Sequence, residues 1–218
     1  RLAQLLPFLC ASFLWSASTI ANPDSDLLVT AQSILHSLDY MSVDYPQAVI
    51  HGEVISASEY AEQQEFAVAA QALIAKLPDH SGKSDIEQSA RQLVALVAQR
   101  GSGLEVQTLC RNLSAMVVSV YHVPIAPHTA PSLQSGAVLY ADKCAECHGA
   151  SGYGDGPRAA NLDPKPINFH DRNRQGQRSI YSLYSTISLG IDNTPMRAFT
   201  DLSEAQRWAL AFYVSNFF

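Results

Sequence analysis

The sequence predicts an all-α protein in two parts: a bundle of about four helices over residues 26–120, then a smaller helical domain over 132–218. Up to residue 120 the apolar side chains recur at steps of three and four, as the buried face of a helix requires. Residues 121–131 contain Pro124, Pro127 and Pro131 and read as an extended, semi-rigid linker. The charge divides at the same place. Residues 27–131 carry 5 basic and 10 acidic side chains, whereas 132–218 carry 8 of each. With 218 residues, 47% apolar and 16% charged, the chain can bury a core in each part. Its net charge of −6, with no basic tract, argues against a nucleic-acid partner.

Residues 1–21 read as an incomplete secretory signal, with an apolar run from Leu5 to Trp15 and small residues toward Ala21. The run is shorter than the ~20 residues of a membrane span, and Cys10 would be removed with it. The first helix carries Leu27, Ala31, Ile34, Leu38 and Met41 on one stripe, with His36 on the opposite, exposed side. A non-helical connection runs from Val43-Asp44-Tyr45-Pro46 to Val54. Ser56 with Glu59 forms a capping box for a second helix, which ends before Pro78 and carries Phe66, Ala70, Leu73 and Leu77 on one face. Ser84 with Glu87 opens a third helix, which stops at Gly101. Ser102 with Glu105 opens a fourth, carrying Leu109, Leu113, Met116 and Val120. Cys110, on that helix, reads as a small buried apolar residue. Short connections between amphipathic helices indicate an up-and-down bundle.

A helix from about Leu133 delivers Cys144-Ala145-Glu146-Cys147-His148. Two thiols two residues apart, followed by histidine, form the attachment signature of a c-type haem. On a helical turn both sulfurs reach the porphyrin vinyl groups and the imidazole points at the iron. A zinc site would need a second Cys/His pair, and a thioredoxin-like pair would follow a strand. Gly149, Gly152, Gly154 and Gly156 suit a loop wrapped tightly on a macrocycle. A carbonyl in 161–169 is expected to accept the His148 Nδ1 proton and so fix the tautomer. Ser179 to Leu189 is a helix stopped by Gly190. Met196 then lies in a proline-fixed loop 48 residues after His148 and is the candidate distal ligand, with His170 as its rival. His/Met ligation would raise the potential as a carrier requires. Arg172, Arg174 and Arg178 form either a solvated face or a partner for a haem propionate. A final helix, boxed by Ser203 and Gln206, carries Trp208, Leu210, Ala211, Tyr213 and Val214. It is expected to cross the first helix of this domain at Gly136.

Glu59, Glu62 and Glu65 at the start of the second helix have two readings. They are solvated carboxylates favoured by the helix dipole, or a cluster that holds iron through oxygen. Asp44, Tyr45 and His51 would complete such a second iron site.

From Ser132 on, the chain resembles a class I cytochrome c, through CAECHG, a proline loop, TPM and a closing aromatic helix. With Leu38-Asp39-Tyr40, Val43-Asp44-Tyr45-Pro46 and Glu59-Tyr60-Ala61-Glu62-Gln63-Gln64-Glu65-Phe66, the whole is similar to the extracytoplasmic part of bacterial cytochrome c/iron permease fusions of the oxidase-dependent iron transporters. Asn193 and Arg197 depart from that pattern, where Gly and Pro are frequent. The resemblance implies a periplasmic, exported module with one covalent haem c, tethered to the membrane by a permease fused downstream. It would exchange electrons with iron and with a redox partner protein, and turn over no substrate of its own. The alternative is a respiratory cytochrome c carrier or subunit with a helical docking domain. A sensor or peroxidase-like haem protein would need an open iron site.

Overall fold

A computed structural model describes residues 23–218; the expected secretory signal lies outside them. Four helices form the first unit: α1 (Pro23–Ala48), α2 (Ala57–Lys76), α3 (Lys83–Ala98) and α4 (Gly103–Tyr121). The stripes that build its core are Ala31, Ile34, Leu38, Met41 and Tyr45 on α1, and Ala67, Ala70 and Ile74 on α2. Ile86, Ala90, Leu93 and Val97 come from α3, and Val106, Cys110, Leu113 and Val117 from α4. Among the described residues no helix is long and apolar enough to cross a membrane.

The expected non-helical stretch at Val43–Pro46 is helix. α1 continues through Pro46, and a two-residue hairpin of β1 (Val49–Ile50) and β2 (Glu53–Val54) makes the turn. Proline removes the N–H that would bond the Ser42 carbonyl. The side chain of Gln107 on α4 replaces it, its Nε2 donating to Ser42 O at 2.9 Å. Tyr45, fully buried, donates to Gly101 O at 2.9 Å and closes the same end of the bundle.

The caps are mixed. Ser102 and Glu105 form both halves of their box, as expected. Ser56 accepts from the Glu59 N–H, but the reciprocal bond is missing. Ser84 caps nothing, because α3 begins at Lys83 with Gly82 before it. Lys83 instead folds back to the end of α2, with Nζ 2.6 Å from Leu77 O. Tyr121 and Val123 still belong to the bundle core, so the extended connection begins at Pro124.

The second unit holds α5 (Leu133–Lys143), α6 (Ala145–His148), α7 (Arg172–Gln175), α8 (Ile180–Leu189) and α9 (Glu204–Val214). α5 crosses α9 where expected. A Cβ on Gly136 would stand 2.3 Å from the Ala209 carbonyl oxygen and 2.7 Å from Tyr213 Cβ, so only glycine permits the approach. Trp208 stacks on Tyr184 of α8 with centroids 4.1 Å apart and joins α9 to α8. On its other side α8 lies against α1, and Tyr181 packs on both cores.

Candidate haem site

Cys144 ends α5, and Ala145–His148 make the helical turn that the spacing demanded. Neither Cys144 nor Cys147 is in a disulfide. Burial pushes the Cys144 thiol up to about 12. The following loop folds back on this turn: the Gly154 N–H donates to His148 O at 2.8 Å and Gly156 to Cys147 O at 3.2 Å. A Cβ at Gly156 would lie 2.5 Å from Glu146 O, so the backbone there sits on the motif itself. Tyr140, fully buried, donates to Gly149 O at 2.8 Å and ties α5 to the loop.

The His148 ring stacks on Phe169, with centroids 4.8 Å apart at 19°, and Phe169 stacks in turn on Phe217. Burial holds the imidazole below its ordinary range, and the Ile167 backbone acts against that shift. Ile167 lies in the stretch expected to accept the Nδ1 proton, but the bond is not closed: Nδ1 is buried without a partner. An aromatic-clamped imidazole beside two cysteines that form no disulfide fits a covalently held haem.

Met196 is half-buried and packs against the core of this domain. Its loop is closed on itself. Ile191 N–H donates to Met196 O at 2.9 Å, and Met196 N–H donates to Thr194 Oγ1 at 3.1 Å. Asn193 takes φ of 58°, a left-handed conformation that asparagine tolerates. Arg197 folds onto Phe199, 4.1 Å from the ring centroid, and pairs with Asp201 at 3.1 Å. His170 is engaged elsewhere, with Nε2 2.7 Å from Ser151 O and its ring stacked on Tyr153 at 4.1 Å.

The carboxylates are arranged otherwise than an iron cluster needs. Among the described residues no group of three or more His, Cys, Asp or Glu side chains is gathered closely enough to hold a metal ion. Glu59 and Glu65 are exposed along α2, with Glu62 half-buried. Glu62 is raised from the usual carboxylate range, first by burial and then by the charges of Glu59, Asp44 and Glu65. Tyr45 is spent on Gly101, and His51 sits exposed in the hairpin turn.

Asp44 faces the other domain. Its carboxylate lies 2.9 Å from Arg174 Nη2 and 4.0 Å from Arg178 Nη2. The two arginines expected on a propionate or in solvent therefore join the domains. Arg178 also lies over the Tyr40 ring at 5.0 Å, and Ser182 of α8 donates to Asp39. Burial raises Asp39 and Asp44, with the arginines opposing the rise. Nor is His36 exposed: burial lowers it to about 4, and the Gly190 backbone and Asp192 act against that. Sequence reasoning missed this interface. Its one legible trace is that Asp39 and Asp44 lie off the apolar stripe of α1 while Arg174 and Arg178 share a segment.

The fold and the site define the second unit as a c-type cytochrome domain. Residues 133–217 match the family model of cytochrome c, whose members carry haem c covalently. Residues 23–123 match the iron permease-associated 4-helix bundle domain, so the chain joins that bundle to a cytochrome c domain. Neither is an enzyme family. A chain of the Kuenenia stuttgartiensis reducing HAO-like protein complex is 28% identical, covering 55% of this chain and 60% of that one, with a TM-score of 0.39. No curated protein matches the chain.

Proposed function

We propose that this chain is an exported, periplasmic cytochrome that serves high-affinity iron uptake and exchanges electrons with iron bound for a membrane permease. The observation that carries the reading is the union in one chain of an iron permease-associated bundle with a Cys-x-x-Cys-His turn. One haem c would be held by thioethers from Cys144 and Cys147, with His148 and Met196 to ligate its iron. The closed Met196 loop and the prior engagement of His170 favour methionine over a second histidine. Such a haem would supply a one-electron couple when bound.

Ferrous iron is the substrate. It loses one electron to become ferric, and a redox partner protein drains that electron from the module. Glu59, Glu62 and Glu65 would receive the ion transiently rather than in a preformed cage, since α2 spreads them along the helix. The test mixes ferric protein with ferrous iron anaerobically and follows haem reduction by absorbance. Glu59→Gln/Glu62→Gln should slow reduction about tenfold at low iron. An unchanged rate would remove the carboxylates from the reaction, and a haem that ferrous iron cannot reduce would remove the uptake role.

A further inference from the structure

The interface between the domains leads from α1 to the loop that carries Met196. At one end of α8, Ser182 Oγ donates to Asp39 of α1. Just before it, the Arg178 side chain is only 3% exposed, lies 5.0 Å from the Tyr40 ring centroid and faces Asp44, which Arg174 also pairs at 2.9 Å. From Ile180 to Leu189 α8 is an uninterrupted strut of about 15 Å. At its far end the Phe199 N–H donates to Ile187 O at 3.0 Å, and Ile191 to Met196 O at 2.9 Å. His36, on the same side of α1 as Asp39 and Tyr40, lies against the Gly190 backbone where the loop departs.

We infer that α1 of the bundle positions the Met196 loop: Asp39, Tyr40 and Asp44 hold α8 through Ser182 and Arg178, and α8 fixes where the thioether is presented. This rests on Met196 being the distal ligand. A thioether keeps its place on the iron only while the loop's closed state dominates, and a competing ligand gains in proportion to the open fraction. The bundle thus tunes the haem from outside its domain.

The experiment titrates imidazole into the full-length ferric holoprotein and follows the methionine-sulfur-to-iron charge-transfer band in the far red. Ser182→Ala and Asp39→Ala should bind imidazole about tenfold more tightly than wild type. Asp39→Asn, which keeps an oxygen to accept from Ser182, should stay near wild type. Leu93→Val, in the bundle core on α3, should lower the melting temperature without changing imidazole affinity. Wild-type affinity in both Ser182→Ala and Asp39→Ala would overturn the inference, as would an equal gain in Leu93→Val. Ser182→Ala removes a single oxygen and is the variant most certain to fold. Met196→Ala tests the premise separately: a band that survives there sinks the ligand assignment itself.

Discussion

Burial acts on two titratable side chains of the bundle in different ways. Cys110 is fully enclosed on α4 and its thiol is pushed up to about 12, so it remains a neutral, inert filler, as its place in an apolar stripe suggested. His36 was legible only as a polar residue opposite a stripe, which ordinarily means solvent. That rule failed because a second domain covers that side of α1, and one helix's periodicity cannot reveal this. With its value lowered from 6.5 to about 4, His36 favours the folded state while neutral. That stability is present above about pH 6.5 and disappears as pH falls toward 4, where the unfolded chain takes up the proton first. The loss reaches about 3 kcal/mol at most. Asp39 and Asp44, raised by burial, work in the opposite sense: folding then binds protons, and acid favours it until the unfolded carboxylates also protonate. Melting temperatures should therefore fall less steeply from pH 6.5 to 4 in His36→Gln than in wild type. Parallel curves would show that the imidazole is not buried against the other domain.

At the scale of elements, the sequence yielded what local chemistry determines. Serine caps with a partner three residues on were read correctly at Ser102 and Ser203, where both reciprocal bonds form. The Ser84 reading failed because Gly82 and Lys83 start α3 earlier, with the lysine drawn to the carbonyls that end α2. Pro46 misled for a related reason: a proline ends a helix unless something else satisfies the carbonyl four residues back. Gln107 does so from a distance of 65 residues, which no local rule can see. A double-mutant cycle tests this account. Gln107→Ala should destabilise by about 1–2 kcal/mol, since it leaves the Ser42 carbonyl without its partner. In a Pro46→Ala background the helix supplies its own N–H, and the same substitution should cost a few tenths of a kcal/mol. Equal costs in both backgrounds, measured by chemical denaturation, would mean that Gln107 acts through Gln177 of the other domain, 3.0 Å away, and not through Ser42.

For the whole molecule, the two cores were legible and their union was not. The haem motif, the loop with Met196 and the α5–α9 crossing at Gly136 all follow from spacing and residue size. The junction depends on Asp44, whose burial raises it while two arginines from a segment 130 residues later oppose that rise. Replacing one member of such a pair leaves the rest half-buried and unpaired, which costs more than the pair itself contributes. The connection from Pro124 to Pro131 is mostly exposed and free of helix, so a protease can cut it without touching either core. If the interface is as cohesive as its contacts imply, the two nicked halves should co-elute on gel filtration at ~0.05 M salt. They should begin to separate toward ~1 M, where a Debye length near 3 Å screens the more exposed Arg174 pair. Asp44→Asn should separate them already at low salt, because Arg174 and Arg178 would then face a neutral amide. Nicked wild-type halves that part at once at low salt would show the domains to be joined by the linker alone.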